Sequence, residues 1–273
     1  MVSRVLSDLI RRLSSPRSPG KAVLFAVWVV IFLAALGMFF YRQRLDPLPS
    51  RDSANYIYWA EKIAATSWRE ALRTPNEETL CKPPLLLSLM ATAVRAGADA
   101  ETAGKALMLI SYLLLCTALA LIAEELWGDW RLTAAALLLA AVCPICVRYS
   151  VQIIRDPLYW CLSAWCVWWV MRAADNKHPA WSWLGAAICC GLAILTRREG
   201  IELMLIAGFW LLAGNWHKAN WRRILVRKLL FAVEFLVVVA LLVLPVEHQM
   251  AQWGSRWNAG QFSSIRYYWT RFL

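Results

Sequence analysis

The sequence predicts an all-α protein: a polytopic bundle of about seven transmembrane helices, with amphipathic helices in the first outside loop. Three observations predict it. The 273 residues are 60% hydrophobic and 17% charged, whereas a soluble domain carries roughly 45–50% apolar and about 25% charged residues. The apolar residues come in blocks close to the length of a bilayer-crossing helix, about 20 residues. Many of the seventeen tryptophans lie at block ends, among them Trp127, Trp130, Trp181, Trp183, Trp216 and Trp221. An indole there keeps its ring in the apolar phase and its N–H among the headgroups.

The clearest block is 22–41. It follows the basic stretch from Arg11-Arg12 to Lys21 and lacks a small-residue cleavage site, so it reads as an uncleaved signal anchor. Further blocks run 105–124, 132–150, 157–173, 181–196, 200–214 and 229–246. Lys218, Arg222, Arg223, Arg227 and Lys228 crowd one short connection, which marks it as cytoplasmic. The resulting division is a cytoplasmic basic N-terminus (1–21), a transmembrane module (22–246) with an outside loop at 42–104, and an outside tail (247–273). Residues 148–156 and 197–199 also fall outside. Trp253, Trp257, Tyr267, Tyr268 and Trp269 make the tail aromatic, suited to the membrane surface or a partner subunit. The expected location is the plasma membrane, the inner one in a bacterium.

Several function classes are disfavoured. A net charge of +11 suits nucleic acid, but the basic residues lie between apolar blocks, where membrane orientation and anionic headgroups account for them. No nucleic-acid partner is expected. Seven of the eight cysteines sit inside apolar blocks as small hydrophobes. Cys143-Pro144-Ile145-Cys146 lacks a second pair and reads as lying within a helix, so no metal is expected. A transporter would show inverted repeats, and Glu234 is the one clear acid in mid-span.

The outside face carries the unusual chemistry. Asp52 precedes a stretch, Tyr56, Trp59, Ala60, Ile63 and Ala64, with the spacing of an amphipathic helix on the membrane plane. From the residues alone Asp52 serves equally as that helix's N-cap or as a catalytic base. Lys82-Pro83-Pro84 fits a helix start, with Lys82 a cation near the surface. Arg155-Asp156-Pro157 reads as a second Asp-capped start, and Thr196-Arg197-Arg198-Glu199-Gly200 as a tight bend with a local Arg–Glu pair. Three loops on one side thus each bring cations and a carboxylate to the membrane surface. Such a set suits an anionic headgroup beside a nucleophilic reaction.

On these residues, in this order, the chain resembles the GT-C fold glycosyltransferases, in particular the protein-O-mannosyltransferase-like and aminoarabinose-transferase-like branches. The runs are Asp52 to Lys62, Lys82-Pro83-Pro84-Leu85, Arg148-Tyr149-Ser150 to Arg155-Asp156-Pro157-Leu158, and Leu195-Thr196-Arg197-Arg198-Glu199-Gly200. The resemblance covers roughly residues 20–246. It implies a transferase moving a sugar from a polyprenyl-phosphate carrier to an acceptor outside, by single displacement and without a nucleotide cofactor. It implies Asp52 as general base. Lys82, Arg155, Asp156, Arg197 and Glu199 become the expected substrate-binding residues, with Lys82 and Arg197 nearest the carrier phosphate. The chain departs from the pattern where many relatives have two adjacent acids, since Arg51 and Ser53 flank Asp52, and at Cys81, where one branch has an acid. Relatives are usually longer. The chain then reads as a minimal enzyme, a truncated one, or one subunit needing a partner; the competing function is a non-catalytic relative acting as membrane scaffold or lipid-carrier binding subunit.

Overall fold

The structure is a computed structural model that describes residues 21–46, 50–66, 84–174, 179–212 and 221–254. Among them all regular structure is helical. In chain order the helices are α1 (Lys21–Leu45), α2 (Arg51–Ala65), α3 (Pro84–Arg95), α4 (Ala100–Trp127) and α5 (Trp130–Val142). There follow α6 (Pro144–Ser150), α7 (Arg155–Ala174), α8 (Pro179–Thr196), a 3-10 turn at Arg198–Ile201, α9 (Glu202–Leu212) and α10 (Trp221–Gly254).

Two of these are long and apolar enough to cross a bilayer, α1 over Ala26–Leu45 and α4; the bent pair α5 and α6 makes a third if counted as one span. Seven blocks were expected from the sequence. Part of the difference is one of length. The 11 residues of α9 rise about 16 Å, half of a hydrocarbon core roughly 30 Å thick. The block at 132–150 is not one rod either. It bends by 52° at Cys143, because Pro144 opens α6 and has no N–H to continue the ladder of α5. The Cys143/Cys146 pair therefore sits at a helix break, not within a helix as its sequence setting indicated.

Helix α7 packs between α4 and α8, and α8 in turn packs on α10. Small side chains make this possible. Ala186, Ala187, Cys190 and Ala193 of α8 are buried against Cys166 and Val170 of α7 and Phe235 and Val239 of α10. A Cβ on Gly185 would stand 2.8 Å from the Trp169 ring. Lipid tails are as apolar as leucine, so helices in a bilayer associate by close fit rather than by hydrophobic exclusion. Large apolar side chains on the remaining faces, such as Leu33, Leu205, Phe209 and Leu241, are exposed.

The short helices α2 and α3 form a hairpin against the first turns of α4. Tyr56, Trp59, Ala60 and Ile63 are the buried stripe of α2, as the spacing predicts. They pack on Leu86, Leu87 and Met90 of α3, Met108 of α4, and Ile153 and Leu158. The apolar face of α2 is thus covered by protein, where a face lying on lipid was expected. Arg95 of α3 closes the hairpin by donating to the carbonyls of Ile63 (2.8 Å), Ala64 (3.2 Å) and Thr66 (3.2 Å) at the end of α2. Those carbonyls lack intrahelical partners, and a cation suits that end of a helix dipole.

Candidate functional site

The site begins at the start of α2. Ser50 is the N-cap: its Oγ accepts the Ser53 N–H at 3.2 Å and lies 2.8 Å from the Ser53 Oγ. Asp52 is therefore inside the first turn and exposed, and the capping role open to it in the sequence belongs to Ser50. Ser53 has a third contact. Its Oγ accepts the backbone N–H of Ile153 at 3.0 Å, from 100 residues away.

Ile153 stands in the turn that leads into α7. Its side chain fills the notch left by Gly104 of α4, where a Cβ would come within 2.7 Å of Ile153 Cδ1. Two residues later α7 opens with Arg155 and Asp156, both partly buried. Asp156 does not cap this helix, as its position before Pro157 had indicated. It lies within the first turn, and its carboxylate accepts a hydrogen bond from the Arg197 guanidinium.

Arg197 comes from the turn after α8. Thr196 ends that helix fully buried, its hydroxyl donating to the Leu192 carbonyl at 2.8 Å. The Arg197 N–H reaches the Ala193 carbonyl and the Gly200 N–H the Arg197 carbonyl, both at 2.8 Å. Only glycine fits at 200, because a Cβ would stand 2.6 Å from the Ile194 nitrogen and 2.7 Å from the Ala193 carbonyl carbon, backbone that cannot swing aside. The guanidinium then extends to Asp156 and lies 5.8 Å from the Tyr159 ring centroid. Its Nε is 3.1 Å from Glu199 Oε1, an ion-pair distance without hydrogen-bond alignment. The local Arg–Glu pair is present, but the hydrogen-bonded partner is the more distant Asp156.

Tyr56 reports how near these groups are to one another. It lies one helical turn beyond Asp52 on α2. Burial pushes its phenol up to about 12, with Arg155 pulling it down, Asp52 and Asp156 pushing it up, and Arg197 pulling it down. Four charged residues from three segments therefore act on one hydroxyl. Glu199 belongs to the same group. A hydrogen bond from its own backbone N–H, then Arg197 and Arg155, hold its carboxyl below the usual range against the opposing effect of burial. Of the six residues expected from the sequence, Asp52, Arg155, Asp156, Arg197 and Glu199 share this neighbourhood, and Lys82 lies outside the described residues. Ser53 and Tyr56 were not singled out as site residues. Tyr56 counted only as part of an apolar stripe, although its spacing from Asp52 puts both on one face. Among the described residues no three His, Cys, Asp or Glu side chains are grouped to hold a metal ion.

The described helices thus bring guanidiniums and carboxylates from three segments into one neighbourhood beside the ends of α7 and α8. Residues 81–247 match the dolichyl-phosphate-mannose-protein mannosyltransferase family, and the chain belongs to that family. Membership makes it a membrane glycosyltransferase of the GT-C type. The match takes in Lys82, Arg155, Asp156, Arg197 and Glu199 and begins after Asp52 and α2. Neither a curated protein nor a solved structure gives a significant match.

Proposed function

We propose that the protein transfers a sugar from a polyprenyl-phosphate carrier to an acceptor hydroxyl at the outer face of the membrane, with Asp52 as general base. The observation that carries this reading is that Arg197, from the turn after α8, bonds Asp156 at the start of α7, while Ser53, beside Asp52, bonds Ile153 two residues before Arg155. An exposed carboxylate on α2 and guanidiniums from α7 and the turn after α8 are the groups that a displacement at an anomeric carbon calls for. The acceptor O–H gives its proton to Asp52 as its oxygen bonds the anomeric carbon. The bond from that carbon to the phosphate oxygen breaks, and the configuration inverts. The leaving phosphate takes the electron pair and gains charge. Arg155 and Arg197, with Lys82, stabilise that charge more strongly in the transition state than in the bound donor. Asp156 and Glu199 hold the Arg197 guanidinium in place for this.

In this reading all seven apolar blocks lie in the plasma membrane, the N-terminus is cytoplasmic, and the tail at 247–273 meets the membrane surface or a partner subunit. The test compares cell-envelope glycans by mass spectrometry in cells with the wild-type protein, without it, and with Asp52→Asn. Loss of a general base costs about 10²–10⁴-fold, so the variant is expected to match the cells without the protein. Wild-type glycan levels with Asp52→Asn would remove Asp52 from this role.

A further inference from the structure

We infer that Ser53 is a positioning residue for Asp52: its buried hydroxyl ties the first turn of α2 to the turn that launches α7, and so sets the spacing between the carboxylate and the arginines. This rests on the reading of Asp52 as base. Ser53 is 1% exposed, and its oxygen is engaged on two sides, by Ser50 Oγ at 2.8 Å and by the Ile153 N–H at 3.0 Å. A hydroxyl offers one donor and two acceptor positions, so both contacts hold at once. Helix formation does not call for this bond, because Ser50 already caps α2.

The turn from Val151 to Ile154 has few backbone bonds of its own. Gln152 N–H reaches the Tyr149 carbonyl at 3.2 Å and Ile154 N–H the Gln152 carbonyl at 2.9 Å. The Ile153 N–H is buried and takes its partner from α2. Apolar packing of Tyr56 and Trp59 holds the middle of α2 whether or not the hydroxyl is present, but it does not fix the first turn, where Asp52 sits. Arg155 and Asp156 lie two and three residues after Ile153, so a bond at Ile153 controls how far they stand from the residue beside Ser53. Asp52 is its immediate neighbour.

The experiment uses the full chain in liposomes, with polyprenyl-phosphate mannose as donor and cell-envelope extract as acceptor, for wild type, Ser53→Ala, Ser53→Thr and Asp52→Asn. Amide hydrogen exchange at Ile153 is read alongside kcat and KM. In the wild type the Ile153 amide is expected to exchange slowly, a reading that requires no variant to fold. In Ser53→Ala its exchange rises, and kcat falls about tenfold to a hundredfold, the scale of a misplacement of about 1 Å. KM for the donor stays within about twofold, because the change falls on the spacing of Asp52 from the arginines and leaves Lys82, Arg155 and Arg197 in place as the cations for phosphate. Ser53→Thr keeps the hydroxyl and restores both. Fast exchange at Ile153 in the wild type overturns the inference, as does Ser53→Ala turning over at the wild-type kcat. A threonine that restores neither readout points to packing and overturns it too. If Asp52→Asn keeps the wild-type kcat, the proposed base fails, and the clamp is then judged by Ile153 exchange alone.

Discussion

Helices α7 and α8 each belong to two regions that are held together differently. Along their length they pack on one another and on α4 and α10 through shape: Ala186, Ala187 and Ala193 admit Val170, Phe235 and Val239, and Gly185 admits Trp169. Beside the start of α7 and the end of α8 the structure is held by directed bonds between residues far apart in the chain, Ser53 with Ile153 and Asp156 with Arg197. A packed interface can relax when one side chain changes, because dispersion is spread over many small contacts. A directed bond cannot, because it has one partner and one geometry. The shaft of the bundle should therefore tolerate change that its end does not.

The sharpest test of that contrast is Arg197→Gln. The variant keeps an amide that can face Asp156 but loses the charge, and removing one preorganised stabilising donor costs about 10²–10³-fold in kcat. Steady-state turnover of polyprenyl-phosphate mannose checks it. A smaller fall, or none, would move the phosphate contact away from this turn. Next comes a matched pair of glycine substitutions. Gly200→Ala drives a methyl into the backbone of α8 and is expected to cost about 3 kcal/mol, the upper end for overpacking, with activity falling as Arg197 shifts. Gly185→Ala meets the Trp169 ring, a side chain rather than backbone, and is expected to cost about 1 kcal/mol with turnover kept. Thermal unfolding in detergent measures both. If Gly185→Ala proved the more damaging to turnover, the contrast between shaft and end would fail.

The smallest expected effect is a pH dependence. The carboxyl of Glu199 is depressed in the folded protein relative to its ordinary value of 4.5. A depressed carboxyl contributes stability that is present above the unfolded value and lost as pH falls through the folded one. Melting temperature should therefore drop more steeply below about pH 4.5 in the wild type than in Glu199→Gln. Because this side chain is 48% exposed, solvent screening keeps the difference small.

How much of this was legible in the sequence depended on the range of each interaction. The stripe Tyr56, Trp59, Ala60 and Ile63 was legible, because helical periodicity is local. Its covering was not: the same spacing serves a helix on lipid and a helix under α3 and α4. Ser50 and Asp52 cap helices almost equally well, so the choice between them was settled only by where α2 starts. The pairing of Arg197 with Glu199 was visible two residues along the chain, whereas its bond to Asp156 spans 41 positions. The Ser53–Ile153 bond leaves no trace in the sequence at all, since one partner is a backbone N–H that every residue but proline carries. The span count followed apolar blocks. The break at Pro144 and the shortness of α9 appeared only when helix ends could be seen.

The guanidinium of Arg197 is engaged with two carboxylates, and that changes what it means for an anion to arrive there. The newcomer meets a guanidinium already hydrogen-bonded to Asp156 and ion-paired with Glu199, and competes with both carboxylates for its charge. Its net affinity is reduced by the two carboxylates that already balance that charge. Departure is correspondingly easy, because the carboxylates stand ready to take the guanidinium back. A site wired in this way trades grip for exchange, which suits the proposed reaction, where the carrier phosphate must leave after each turnover.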